Sequence, residues 1–421
     1  MRFFKDDFPF NCFVSSGIPL FGTLVCLTST LKNKAANLLS IISFLVIPSF
    51  HPLYGQQNIS FPGSYVSIIT CGKSDQLYAS FGHNAIRIKD PTKNIDLCFN
   101  FGTFNFEEPD FYIKFMNGKL MYFLSVSEFE DFKNEYQSEG RSIDEQVLCL
   151  NDSEKENIYN YLVDTYHSPR RYYKYDFATN NCSTKIAGVL ELLLPKDSFQ
   201  LKTKRNQGNT VRKYVNNHLR NNDLALVGIN MLFGYYADTI CSDKLSIFLP
   251  DTLETVLDSS TIRGKHLVQQ KRFILRPAES LNKSSNKVLR YVLYIVFIAD
   301  IILLLLFLLH KKANWIKPVF TAQQHLFFLL PGLAGLFFIY MWLFSEHAIV
   351  RYNLNLLWCN PLFLFYLIYP SNKWLLLFIL TGILAFACIY FNSSYLHIIG
   401  PFLGTLSLLL LFNRLSRSYV R

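Results

Sequence analysis

Charge is scarce in this sequence. Asp, Glu, Lys and Arg make up 17% of its 421 residues against 50% apolar, a balance unusual for a soluble protein. No CxxC pair and no His/Cys cluster at metal-ligand spacing occurs, so a zinc site is not expected and nothing calls for a cofactor. Nor is there a Lys/Arg-rich block interleaved with stacking aromatics, so the net charge of +10 does not point to nucleic acid. Internal repeats and low-complexity tracts are missing. Methionine is so sparse that none stands between Met1 and Met116.

What is present divides the chain in two. Residues 56–287 mix polar and apolar side chains as a globular domain does, whereas 288–421 is dominated by long apolar runs. The runs are about 16 to 22 residues long, near what a hydrocarbon core of roughly 30 Å requires of a helix. They predict about five spans, at 289–309, 326–344, 354–369, 374–391 and 397–412. Lys311, Lys312, Lys317, Lys373, Arg414, Arg417 and Arg421 fall in the loops on one side of these spans, and Arg351 alone on the other. That asymmetry predicts a cytoplasmic C-terminus and an extracytoplasmic globular domain. Export needs a signal. Lys32 and Lys34 before the apolar run 35–47 supply one, within an N-terminal extension and signal or anchor segment at 1–55.

Within the exported domain, 65–71 reads as a strand, 85–89 and 95–101 as a hairpin across Asp90-Pro91-Thr92-Lys93-Asn94, and 119–126 as a further strand. The stretch 152–166 has the capping residues and spacing of a helix, and 128–136 is a second candidate. Asn181 fits the cap of a helix that starts at Cys182 and stops at Pro195. Strands first and helices after predict an α+β domain with a small antiparallel sheet. Five cysteines lie in this domain, Cys71, Cys98, Cys149, Cys182 and Cys241. An odd number in an oxidising compartment leaves at least one unpaired.

Cys182 is the candidate nucleophile. At a helix start, unsatisfied N–H groups and the positive end of the dipole favour the thiolate and predict a pKa below the usual ~8.5. The same residue lies on the apolar face of its helix, where an inert core cysteine also fits. His83 follows Gly82 at a strand entrance, in reach of a neighbouring element and so suited to act as base; a structural histidine fits there too. A thiol at a helix start beside a histidine on the adjoining sheet is the papain-like arrangement, and in circularly permuted (NlpC-type) members the histidine comes first, as here. Counting across the hairpin brings Asn100 to His83 as the group that orients the imidazole, with Asp96 or a backbone carbonyl as alternatives. The aromatic stretch 101–115 suits an acyl groove near the membrane or ordinary core. Arg141 and the pair Arg170-Arg171 suit a lipid phosphate or a solvated surface.

The motifs resemble the Lnb N-terminal periplasmic domain family, in which such a domain precedes a helical membrane region. The likeness rests on Thr70-Cys71-Gly72, Leu77-Tyr78, Phe81-Gly82-His83, the run 99–104, Gly140-Arg141, Glu145-Gln146, Tyr175-Asp176-Phe177 and Asn181-Cys182-Ser183-Thr184. It continues through Gly234, Asp238, Phe248-Leu249-Pro250, His347, the run 353–358 and Asn360-Pro361. Lys185 stands where the resemblance leads one to expect arginine. The resemblance implies lipoprotein N-acylation at the inner membrane: an acyl chain leaves a phospholipid donor and reaches the N-terminal amine of a diacylglyceryl lipoprotein. It implies Cys182 and His83 as the catalytic pair; the hairpin count adds Asn100 as candidate third member, and Tyr78, Arg141, Asn181 and His347 are the candidate substrate-binding residues. The rival readings are a membrane-anchored cysteine peptidase or amidase and a non-catalytic lipid-binding module.

Overall fold

The computed structural model describes residues 63–74, 76, 79–203, 208–278, 287–309, 315–369, 371–385, 408 and 411–412. The expected signal segment, Tyr78, the end of the fourth expected span and most of the fifth lie outside the described residues.

The N-terminal domain is α+β. Its first strand β1 (Tyr65–Cys71) pairs with β2 (His83–Asp90), which turns tightly into β3 (Ile95–Thr103). The turn is held by Asp90, whose Oδ1 accepts from the Thr92 amide and hydroxyl. A short helix α1 (Phe111–Met116) then leads to β4 (Met121–Glu128), helix α2 (Phe129–Ser138) and strand β5 (Ile143–Leu148). The capped helix α3 (Asp152–Tyr166) and the short strand β6 (Tyr172–Lys174) precede α4 (Cys182–Leu193). Helices α5 (Val211–His218), α6 (Asp223–Leu232) and α7 (Pro250–Ser259) follow, and the chain returns as strand β7 (Val268–Leu275).

The sheet is antiparallel throughout and larger than expected, seven strands in the order β7-β5-β1-β2-β3-β4-β6. The β2–β3 hairpin within it is local and legible from sequence. Strands β5, β6 and β7 were not anticipated: β6 has only three residues, and β7 reaches its place beside β5 only after more than a hundred residues of helices, loops and short strands. One face packs Ile68, Ile86, Phe99 and Leu124 against Ile158, Leu162, Ile186 and Leu190 of α3 and α4, an apolar layer that excludes water from the sheet. Arg87 is buried in the sheet and bonded to Asp96 and Glu145 at 2.6 and 2.9 Å, with its guanidinium over the Phe129 ring.

The C-terminal region is helical, with two long apolar helices, α8 (Val288–Leu309) and α9 (Ile316–Phe344). Helix α8 starts against the globular domain, where Arg290 pairs with the buried Asp223 of α6 at 2.9 Å. Helix α9 runs back, so its C-terminal end also meets that domain. The third expected span is not one continuous helix. Residues 354–369 form 3-10 turns at Leu354–Leu357 and Pro361–Leu364 and a single α-turn at Phe365–Ile368. The cause is local: Asn353 and Asn360 turn their side chains onto the amides of Asn355 and Leu362, and Pro361 has no N–H to continue a helix. This segment descends along α9, with Cys359 and Pro361 against Gly335, Leu364 against Gly332, and Tyr366 bonded to Gln324 at 3.1 Å. Irregular backbone at membrane depth is tolerated where protein covers it. Helix α10 (Asn372–Ala385) returns, placing Phe378 on Phe328 and Phe363.

Candidate active site

The loop before α4 is built to present Cys182. Asp176 Oδ1 accepts from the amides of Ala178 and Thr179, and Asp176 and Asn180 exchange backbone hydrogen bonds, so the chain folds into a tight knot before the helix. Asn181 caps α4: its Oδ1 accepts from the Thr184 amide at 3.0 Å, while Thr184 Oγ1 accepts from the Asn181 amide at 2.8 Å. The Asn181 amide group donates to the carbonyls of Phe177 and Phe248, both at 2.7 Å. Both functional groups of this buried side chain are therefore occupied inside the protein, and its place is beneath the thiol rather than toward a substrate.

His83 opens β2 and faces the same point. A Cβ built on Gly102 would lie 3.9 Å from Cys182 Cβ, 3.9 Å from His83 Cε1 and 4.0 Å from Tyr173 Oη. Gly102, with φ +97°, leaves open the space that thiol, imidazole and phenol share. Asn100 does meet the histidine: its Oδ1 lies 3.3 Å from His83 Nε2. A carbonyl oxygen can only accept, so Nε2 carries the proton and Nδ1 the lone pair. Asp96, the alternative partner, is committed to Arg87 and Lys89.

Electrostatics modify the sequence expectation. Burial pushes the Cys182 thiol above its ordinary pKa, although the backbone N–H groups of Asn84, Ser183 and Cys182 pull it down. Desolvation outweighs the helix start, so the resting thiol is protonated, not the thiolate expected from position alone. Burial, reinforced by the charge of Arg141, pulls His83 down to about 4, while Asn100 pulls it up. The resting pair is neutral. A neutral imidazole protonated on Nε2 keeps on Nδ1 a lone pair that can accept a proton.

Arg141 is fully buried, donating to the Gly72 carbonyl at 2.8 Å and Glu139 at 2.9 Å with its guanidinium 4.4 Å from the centre of the Tyr136 ring. Its charge acts on Cys71, Tyr136 and His83 instead of facing the surface where a lipid phosphate would arrive. Arg171 lies over the Tyr166 and Phe123 rings, and Arg170 is exposed. His347 is bonded to the Phe115 carbonyl at 3.0 Å, at the end of α1.

Asn84 and Tyr173 were not singled out from sequence, and Lys185 only as standing where arginine is expected. Asn84 donates to Thr70 Oγ1 at 2.9 Å and accepts from Ser183 Oγ at 2.7 Å. Tyr173 is buried, and among the described residues its hydroxyl has no hydrogen-bond partner of normal geometry, the Gly102 peptide being its polar neighbour. Lys185 holds its ammonium 4.3 Å from the centre of the Tyr173 ring, and burial lowers its pKa. None has a signature in isolation. Alternating aromatics and polar residues around a candidate thiol are the only hint.

Cys71, Cys98, Cys149 and Cys182 are free thiols. Two family models match the chain, the Lnb N-terminal periplasmic domain over residues 54–217 and the Lnb transmembrane domain over residues 283–415. Neither a curated protein nor a solved structure matches it.

Proposed function

Since this chain belongs to the Lnb family, as a membrane protein with a periplasmic N-terminal domain, we propose that it is a thiol-dependent lipoprotein N-acyltransferase. The observation that carries this reading is the convergence of Cys182, His83 and Tyr173 on the space above Gly102, in a domain joined directly to membrane helices.

In the first half-reaction Cys182 attacks the ester carbonyl of a phospholipid while His83 Nδ1 accepts the thiol proton. The oxyanion is met by the backbone N–H of Cys182 and by the Tyr173 hydroxyl, whose polar neighbour is the Gly102 peptide. Collapse breaks the ester C–O bond, the leaving alkoxide takes the proton from His83, and a thioester with a lysophospholipid product remains. In the second, the N-terminal amine of a diacylglyceryl lipoprotein attacks the thioester, His83 accepts the amine proton, and the departing thiolate recovers it. The product is an amide. Amines attack thioesters readily, which suits this acceptor. Asn100 orients the imidazole, and Lys185 is placed to meet an anionic head group. Arg141 acts through its field on His83.

This reading takes the domain at 56–287 as a circularly permuted papain-like (NlpC-type) fold and 288–421 as about five spans. It places the protein in the inner membrane with its C-terminus in the cytoplasm. The loop charges support that orientation, as does Phe412, which stacks on Phe320 at 4.0 Å, at the end of α9 remote from the globular domain. An amidase acting on peptides would use the same pair; the exposed aromatics beside the membrane favour a lipid.

The test uses membranes carrying the full chain, incubated with phospholipid labelled in its acyl chains. A hydroxylamine-labile acyl adduct is expected on the wild type and not on Cys182→Ser. An adduct on both would remove Cys182 from its role, and none on either would favour the amidase or a non-catalytic module.

A further inference from the structure

The region between β3 and β4 carries apolar side chains that remain largely exposed in the described structure. On α1, Tyr112 is 74% exposed, Ile113 52% and Phe115 46%, and Phe106 beside them is exposed as well. In water such a cluster is unfavourable. Its position relative to the membrane helices is fixed by four hydrogen bonds at the C-terminal end of α9. Tyr340 Oη donates to Asn117 Oδ1 at 2.9 Å, Ser345 Oγ to the Met116 carbonyl at 2.8 Å, the Glu346 amide to the Asn117 carbonyl at 2.9 Å, and His347 Nε2 to the Phe115 carbonyl at 3.0 Å. The end of α1 therefore lies level with residues 340–347, where α9, with Leu343 and Phe344 still exposed, leaves the hydrocarbon.

We infer that the segment from Phe106 to Phe115 is a second membrane contact, an interfacial element whose exposed face is seated in the head-group region of the leaflet from which α9 emerges. Aromatic rings and long basic side chains are the groups that favour this depth, where apolar bodies are buried and polar ends stay wet. Within the segment Lys114 is paired with Glu108 at 2.7 Å, and the exposed Lys119 follows it as the basic side chain just past the end of α1. The element also connects the bilayer to the thiol. Phe106 packs on Phe104 at 4.8 Å, Phe104 on Tyr122 at 5.0 Å and Tyr122 on Tyr175 at 4.3 Å, and β3 leaves Gly102 only two residues before Phe104. A lipid at this surface thus lies beside the strand end that carries the site. The inference depends on the transmembrane domain and not on acyl transfer.

The test is photocrosslinking in native membranes, with benzoylphenylalanine placed singly at Tyr112 and Ile113 of the full chain. Leu330, exposed on α9, is the lipid-facing reference. Asn94, at the hairpin tip, is the water-facing one, since a nine-residue β3 places it about 25–30 Å from the site end. Phospholipid adducts at 112, 113 and 330 but not at 94 are expected by mass spectrometry. No lipid adduct at 112 and 113 while 330 labels would overturn the inference, as would equal labelling at 94. Crosslinks at 112 and 113 to a protein in place of lipid would overturn it in favour of a protein partner. None of these outcomes depends on whether Cys182 forms a thioester.

Discussion

Ser183 donates its hydroxyl proton to Oδ1 of Asn84 over 2.7 Å, inside the protein and across 99 positions of sequence. Each residue is the immediate neighbour of a proposed catalytic one, Ser183 of Cys182 and Asn84 of His83. The bond therefore fixes the start of α4 to the start of β2, and with it the separation of thiol and imidazole.

Ser183→Ala should reduce the rate of thioester formation by roughly 10- to 100-fold, the scale expected when reacting groups are displaced by about 1 Å. Leaving the buried Asn84 carbonyl unpaired should also cost about 1–3 kcal/mol of stability. Ser183→Thr, which keeps the hydroxyl, should recover most of both. Wild-type rates in the alanine variant, measured by quenched-flow capture of the labelled adduct, would exclude this positioning role.

Because burial holds the Cys182 thiol protonated and His83 neutral, its alkylation should rise steadily from pH 6 to 9 without a plateau. A resting thiolate–imidazolium pair would instead give a flat profile between the two pKa values. Peptide-resolved mass spectrometry after timed iodoacetamide treatment separates Cys182 from the other thiols.

His83 titrates near 4 in the folded protein against about 6.5 when unfolded. Between those values the unfolded chain binds a proton that the native chain refuses, so stability falls as pH drops through this window and is regained above it. The acid limb of the acylation rate should likewise lie near pH 4. Comparing denaturation midpoints of wild type and His83→Asn at pH 7 and 5 should show a smaller pH effect in the variant.

Gly102→Ala combines two penalties. A φ of +97° is strained for any L side chain, at about 1–3 kcal/mol, and the new methyl would stand between Cys182, His83 and Tyr173. Acyl transfer should fall by far more than the loss of folded protein explains. Retention of full activity would show that substrate does not enter above Gly102.

In the membrane region, a Cβ on Gly335 would collide with the Cys359 carbonyl and reach 2.7 Å from Pro361 Cδ. Gly335→Ala should therefore displace the 354–369 segment from α9 and lower the detergent melting temperature, whereas Gly382→Ala, with open space around it, should not. Equal melting temperatures would refute the packing.

Much of the geometry of the candidate site was legible because it is locally encoded. Asn181 before Cys182 announced a cap, and the Asp90–Asn94 turn fixed the register that carries Asn100 to His83. The state of the thiol was not legible, because it depends on how completely distant segments desolvate it. The same holds for Arg141: a Gly-Arg pair in sequence looks like surface, and only the packing of Gly72, Tyr136 and Glu139 around it buries the charge.

Composition and pattern by themselves determined a globular domain followed by apolar helices, the β2–β3 hairpin and the helix that begins at Cys182, since each follows from spacing within some twenty residues. The tertiary structure alone decided which residues surround the thiol, that β7 completes the sheet, that 354–369 is broken, and that α1 meets the end of α9. The reason is physical: helix and hairpin periodicities act between near neighbours, whereas desolvation, buried hydrogen bonds and membrane depth arise only when segments distant in sequence are brought together.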